Sequence, residues 1–229
     1  MTTARLIESK QLAPLVRHFV FETDNGTLQY LPGQFVSFMQ AIGDKEITRA
    51  YSLASAPAGN NRFELCLNRV EDGHLSPHLF GMQPGDTIRM SPPLGQFVLR
   101  DPPRDSILVA TGTGIAPYRA MLQAHVREDS PGFTLLFGVR YESDLLYRAE
   151  FQALAARHAH FRFWPTLSRP EPAWTGRTGH VQQHLEAAIA GRRDVDFYLC
   201  GLKQMVDQVR GILKGMGFDR KQIRYEKYD

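Results

Sequence analysis

Cysteine is scarce: among 229 residues only Cys66 and Cys200 occur, far apart and in no CxxC pair. A four-cysteine iron–sulfur cluster or zinc site therefore cannot be built from this sequence alone, no metal is expected, and a reduced, cytoplasmic setting is the natural reading. Long apolar runs are missing as well. No stretch approaches the ~18–20 apolar residues of a membrane span, and "MTTARLIESK" carries no apolar export core, so no membrane association is expected. Neither sign of charge dominates, since 27 basic and 24 acidic residues interleave to a net +3. So mild a balance gives no footprint for nucleic acid, but it leaves room for attraction to an acidic protein partner. Internal repeats and low-complexity segments are absent.

What is present falls into two textures that change near "RDPPRDS", residues 100–106, where Pro102 and Pro103 stiffen a polar connector. Before it, short β-rich runs ("RLIESK", "VRHFVFET", "QFVSFMQ", "AYSLAS", "RFELCLNRV", "DTIRMS", "QFVLR") recur between Gly and Pro, which predicts an antiparallel barrel. After it, apolar runs ("SILVAT", "FTLLFGV", "FRFWPTL", "VDFYLC", "IRYEKY") alternate with helical stretches at 115–127, 145–158, 179–190 and 202–216. That is the βαβ pattern of a parallel, Rossmann-like nucleotide-binding sheet. The expected domains are 1–101 and 102–229, in a monomer.

Three stretches carry chemistry. In "ILVATGTGIAPYRAML" a strand runs through Gly112, Thr113 and Gly114 into a helix, where free N–H groups and the helix dipole favour a phosphate. Pro117 departs from the GxGxxG fingerprint, and an ordinary tight turn would read the same way. In "RAYSLAS" alternation puts Arg49, Tyr51 and Leu53 on one strand face and Ala50, Ser52 and Ala54 on the other. A guanidinium, an aromatic ring and a small hydroxyl would suit a phosphate bound beside a stacked ring, although Tyr51 could equally be barrel packing. In "NRVEDGHLSPHLF", Gly73 and His74 lead to a short helix starting near Ser76, a second anion site.

Taken together, "PGQF", "RAYS", "GHLS", "ATGTGIAP", "YLCG" and the closing "YEKY" resemble, in order and over essentially the whole chain, the ferredoxin–NADP reductase family. The resemblance implies an FAD-binding barrel followed by an NADP-binding α/β domain. It gives Arg49 the FAD pyrophosphate, Tyr51 one flavin face, and Ser52 a hydrogen bond near flavin N5, with Ala50 between them. Cys66, Leu67 and Asn68 match a strand whose backbone meets FAD, and Gly73, His74, Leu75 and Ser76 hold the pyrophosphate from the other side. Thr113, Gly114, Gly201, Leu202 and Met205 would line NADP(H), with Thr113 also near FAD. Cys200 and Glu226 would flank the hydride path, and Tyr228 would lie flat on the flavin. The catalytic set is thus Ser52, Cys200, Glu226 and Tyr228.

Arg140, Ser168, Arg169 and Arg177 follow or lie near predicted strand ends, and "TLSRPE" resembles the family's clamp on the 2′-phosphate. Solvated loop arginines would look alike, but the clamp's own pair, Ser168 and Arg169, includes no acidic residue to select a ribose diol, so NADP(H) is preferred over NAD(H). Asn68–Ser76 is too short for the tyrosine that stacks on adenine in plant-type members, and it resembles the compact bacterial branch, whereas "YEKY" resembles the plant-type ending. The activity implied is hydride exchange between NADP(H) and FAD, with single electrons passing to a separate ferredoxin or flavodoxin. A reductase component feeding an oxygenase or reducing free flavin is the alternative, and a non-catalytic flavin-binding subunit a more distant one.

Overall fold

The computed structural model describes residues 2–24 and 26–228. Two compact units emerge: the chain up to Leu99 together with Ala116–Ala124, and Arg100–Ile115 together with the chain from His125 onward.

The first unit is an antiparallel sheet of six strands, β1 (Thr2–Ala13), β2 (Val16–Thr23), β3 (Phe35–Ile42), β4 (Lys45–Ser52), β5 (Arg62–Asn68) and β6 (Thr87–Met90), in the order β4-β3-β6-β1-β2-β5. A bridge between Leu53 and Leu65 links the segment after β4 to β5, so the two ends of the sheet meet and the barrel closes. Period-two alternation fills it: Phe19 and Phe21 of β2, Phe38 of β3 and Phe63 of β5 are all inside. Their rings pack edge-on or offset, as between Phe21 and Phe38 with centroids 5.1 Å apart. One short helix, α1 (Leu75–Gly81), adds Leu75 and Leu79 to the same core.

"QFVLR" forms no strand, contrary to expectation. Phe97 and Leu99 are buried, which is the alternation that the sequence shows. Proline pairs at 92–93 and 102–103 flank the run, however, and proline cannot donate to a ladder. The helix after the glycine turn, α2 (Ala116–His125), also differs, because it groups with the barrel instead of with the parallel sheet. Arg119 pairs there with Glu64 and donates to the Ala54 carbonyl at 2.8 Å, while Gln123 Oε1 accepts from the Ala56 N–H at 3.0 Å.

The second unit is a parallel sheet of β7 (Ser106–Thr111), β8 (Phe133–Val139), β9 (Phe161–Leu167), β10 (Arg177–Thr178), β11 (Asp196–Leu202) and β12 (Ile223–Tyr228), ordered β10-β9-β8-β7-β11-β12. Strands β7, β8 and β11 are buried nearly end to end, as a sheet covered on both faces requires. The covering helices are α3 (Arg148–Arg157), α4 (Leu185–Ile189) and α5 (Lys203–Gly215); the last buries Met205, Val206, Val209 and Leu213. Strand order reverses between β7 and β11, and open α/β sheets bind ligands at the carboxyl ends beside such a switch point. No helix among the described residues is long and apolar enough to cross a membrane.

At the opposite, amino end of this sheet Asp196 anchors the incoming chain. Its carboxylate, 4% exposed, accepts from Arg100 Nε at 2.7 Å and Arg104 Nη2 at 2.8 Å. Burial raises its pKa, but the hydrogen bonds from Arg104 and Arg100 outweigh that and hold it below the usual carboxylate range. The stability this supplies is complete above the unfolded carboxylate pKa of about 3.9 and is lost as pH falls through the lower folded value. Asp196→Asn should therefore cost about 2–3 kcal/mol near neutrality, less than most broken buried pairs because each arginine is about one-third exposed. Denaturant titration at pH 7 and below 4 checks this: the gap to wild type should shrink in acid.

Candidate functional site

The candidate residues of the barrel lie along the end of β4 and around the turn into α1. Arg49 is exposed and donates to the Thr48 carbonyl at 2.8 Å, which leaves guanidinium donors for an anion; Ala50 beside it is exposed too. Tyr51 packs one side against Phe38, centroids 5.8 Å apart, and is half-buried. Burial pushes its pKa up to about 12 against the lowering effect of Arg49, so its hydroxyl stays neutral. Barrel packing and an accessible ring are thus both features of this tyrosine. Ser52, buried, ends the strand.

Next to this edge, Cys66 and Leu67 are both buried, Leu67 within the barrel core, and Asn68 is exposed at the end of β5. The chain then turns tightly: Gly73 N–H donates to the Val70 carbonyl at 3.0 Å, and Ser76 Oγ accepts from the Val70 N–H at 2.9 Å. The Ser76 hydroxyl is therefore spent inside the turn. His74 gives α1 no side-chain cap, which leaves first-turn N–H groups for a ligand, and Leu75 is a core residue.

In the second unit the candidates gather at the carboxyl ends of the strands. A carbon placed on Gly114 would lie 2.3 Å from the Cys200 carbonyl oxygen. One on Gly201, whose φ is +132°, would lie 2.4 Å from Thr111 Oγ1. Only glycine permits this approach. Thr111 Oγ1 also accepts from the Leu202 N–H at 3.1 Å and locks the two strand ends together. Gly112 and Thr113 border this turn, Gly112 facing open space, and Leu202 is 62% exposed at the start of α5. This flat, glycine-built floor suits close approach of a nucleotide. Met205 differs from the other candidates: only 5% exposed, its side chain belongs to the hydrophobic cluster beneath the sheet.

Cys200 is fully buried and in register with Glu226 on β12, as Leu202 is with Tyr228. Tyr228 hydrogen-bonds the Cys200 thiol, and Glu226 is close enough to act on it electrostatically. Burial first, then Glu226, pushes the thiol pKa well up despite the Tyr228 bond, so at neutral pH it is an uncharged thiol and no nucleophile. Asp229 lies outside the described residues.

On the β8–β9 side the Ser168 N–H donates to the Val139 carbonyl at 3.0 Å and the Arg169 N–H to the Arg140 carbonyl at 2.9 Å, so Arg140, Ser168 and Arg169 adjoin. Arg177 lies on β10, its guanidinium carbon over the Trp164 ring at 3.9 Å from the centroid, and burial lowers its pKa. Sequence reasoning missed Tyr141, an exposed ring whose hydroxyl accepts from Arg169 Nη1 at 3.4 Å. It missed Trp174 as well, whose indole N–H ties the loop to the Arg177 carbonyl at 2.9 Å. Tyr141 was findable as the residue immediately after Arg140.

Comparison with known proteins bears on this arrangement. An oxidoreductase FAD-binding domain model matches residues 3–99 and an oxidoreductase NAD-binding domain model residues 108–211. Ferredoxin–NADP reductase B of Sorangium cellulosum is 41% identical over 99% of this chain and 97% of its own length. The anthranilate 1,2-dioxygenase electron transfer component of Acinetobacter baylyi is 30% identical over 88% of this chain, which spans 59% of that protein. Among solved structures, the FAD/NAD-binding domain of a nitric oxide dioxygenase from Vibrio cholerae superposes with a TM-score of 0.88 at 25% identity, covering 99% of this chain and 98% of that one. With two oxidoreductase domain models matching most of its length and a relative 41% identical end to end, the chain belongs to the ferredoxin–NADP reductase family, FAD- and nicotinamide-nucleotide-dependent oxidoreductases.

Proposed function

We propose that the chain carries electrons between NADP(H) and a separate one-electron carrier protein, a ferredoxin or flavodoxin, by way of FAD. The observation that most supports this is the meeting of Cys200, Glu226 and Tyr228 at the switch point of the parallel sheet, beside the Gly112–Gly114 turn. FAD, when bound, supplies the exchange between paired electrons, which nicotinamide requires, and single ones. Two cysteines cannot ligate a four-cysteine cluster, so on this reading the one-electron centre, cluster or flavin, sits on the separate carrier.

On this reading the residues divide the work. Arg49 and the backbone of Gly73–Ser76 would hold the FAD pyrophosphate, while Tyr51 and the Cys66–Asn68 strand would position the ring. Thr113, Gly114, Gly201 and Leu202 receive the nicotinamide nucleotide, and Arg140, Ser168, Arg169 and Arg177 its 2′-phosphate. The neutral Cys200 thiol and the Glu226 carboxylate shape the place where nicotinamide reacts. Tyr228 occupies that place in the resting chain and gives way on binding.

A second reading is favoured by the likeness to an oxygenase's electron transfer component, namely service to an oxygenase. Steady-state reduction of ferredoxin, flavodoxin, cytochrome and free flavin with NADPH and NADH separates them. The first reading expects NADPH with ferredoxin or flavodoxin to be fastest; preference for NADH and indifference to both carriers would favour the second.

A charge-assisted phosphate contact contributes roughly 1.5–3 kcal/mol, or ~10–150-fold in affinity. Arg169→Ala should therefore raise the KM for NADPH by about tenfold or more while barely moving that for NADH; equal losses would overturn the 2′-phosphate assignment. Tyr228→Ser should tighten NADP binding, add a long-wavelength absorbance on titration with NADP, and narrow the preference for NADPH. A lower Tm with unchanged spectrum and affinity would make the ending purely structural.

A further inference from the structure

Among the described residues, strand β12 is the edge of the parallel sheet and pairs only with β11. Leu199 lies in the core beneath α5 and is in register with Tyr225, so Ile223, Tyr225 and Lys227 face α5 while Glu226 and Tyr228 face the opposite side. On the α5 side the apolar packing reaches Ile223, 7% exposed, and then turns polar. The Arg210 guanidinium lies 3.8 Å from the centroid of the Tyr225 ring, which is 42% exposed. Asp207, one turn earlier on α5, accepts from Lys227 Nζ at 2.8 Å and lies 3.5 Å from Arg210 Nη1. One carboxylate thus ties Lys227 of the strand to Arg210 of the helix, the cation that lies over the Tyr225 ring.

We propose that Asp207, with Lys227 and Arg210, forms a latch that sets how readily Tyr228 gives way to nicotinamide. The inference rests on the reading of Tyr228 given above. Lys227 is the residue between Glu226 and Tyr228, so holding its side chain against α5 holds the backbone that carries both. Magnitude decides what such a contact is for. An exposed ion pair shifts an equilibrium by no more than about fivefold, and an exposed arginine over an aromatic ring by a similar factor. Contacts of that size do not determine whether the unit folds, but they suit an element that must release at every binding event. The apolar packing of α5 keeps the strand in place meanwhile, so the latch biases its last residues without carrying the sheet. Asp207, Arg210 and Lys227 are positioning residues: they act through the backbone of β12.

The test titrates the FAD-loaded protein with NAD, which lacks the 2′-phosphate and so sets the arginine cluster aside, and follows flavin absorbance. Asp207→Asn, Lys227→Met and the double variant are compared in the native and the Tyr228→Ser backgrounds. Each single change should lower the Kd for NAD about two- to fivefold. The double variant should go no further than the stronger single one, and in the Tyr228→Ser background none of the changes should matter. If Tyr228→Ser tightens binding and the latch variants do not, the latch is wrong and the role of Tyr228 stands. If Tyr228→Ser itself changes nothing, the role of Tyr228 fails and takes the latch with it. Effects that persist undiminished without Tyr228, or weaker binding in the single variants, would show that these residues act on the sheet edge alone, and would also overturn the proposal.

Discussion

The carboxyl ends of β7 and β11 lie closer than strands bearing side chains could, with Gly114 against the Cys200 carbonyl and Gly201 against Thr111. Much of the geometry of this strand edge follows from that approach. It puts backbone, with no side chain above it, on the floor of the switch point, and it lets Thr111 Oγ1 take the Leu202 N–H. Strand β11 is thereby fixed in depth, and β12, which pairs with it in parallel, inherits its placement residue by residue. The buried thiol, the carboxylate beside it and the tyrosine hydrogen-bonded to the thiol are brought together at second hand by the absence of two β-carbons.

Electrostatics separates arginines that build the fold from arginines that remain open. Arg100 and Arg104 share the buried Asp196, Arg119 holds Glu64, and Arg192 reaches Asp105 at 3.2 Å. Arg49 and Arg169, by contrast, donate to neutral oxygens of Thr48 and Tyr141. A guanidinium neutralised by a carboxylate has little left for a phosphate, whereas one resting on a carbonyl or a phenol keeps its charge. Arg177 takes a third course, lying on an indole face that leaves its charge intact while restricting its orientation.

Most of this was legible in the chain because periodicity and punctuation are local. "VRHFVFET", "SILVAT", "FTLLFGV", "FRFWPTL" and "IRYEKY" appear as strands with the bounds their composition suggests. Alternation along "YEKY" likewise places Glu226 and Tyr228 on the Cys200 side and Lys227 on the side of α5. What the sequence concealed depends on partners distant in the chain. "QFVLR" alternates like a strand and buries Phe97 and Leu99, yet whether a ladder forms depends on a neighbour that local pattern does not reveal. The two-residue β10 is too short to leave a periodic signal. Met205 has the right spacing after Cys200 to line the edge, but helix phase turns it into the core. Helix α2 follows a β-strand in the order of a βαβ unit, and only Glu64, Ala54 and Ala56 reveal that it groups with the barrel.

That last feature bears on modularity. The chain passes from one unit to the other after Leu99, returns after Ile115 and leaves again after Ala124. No single cut separates them. A fragment ending at the proline-rich connector would lack α2, leaving Glu64 without Arg119 and the Ala56 N–H without its acceptor. The complementary fragment would carry α2 with its barrel-facing side chains unmatched. Two cores that look like independent cassettes are therefore threaded by one chain, and each depends on the integrity of the other's sequence as well as its own.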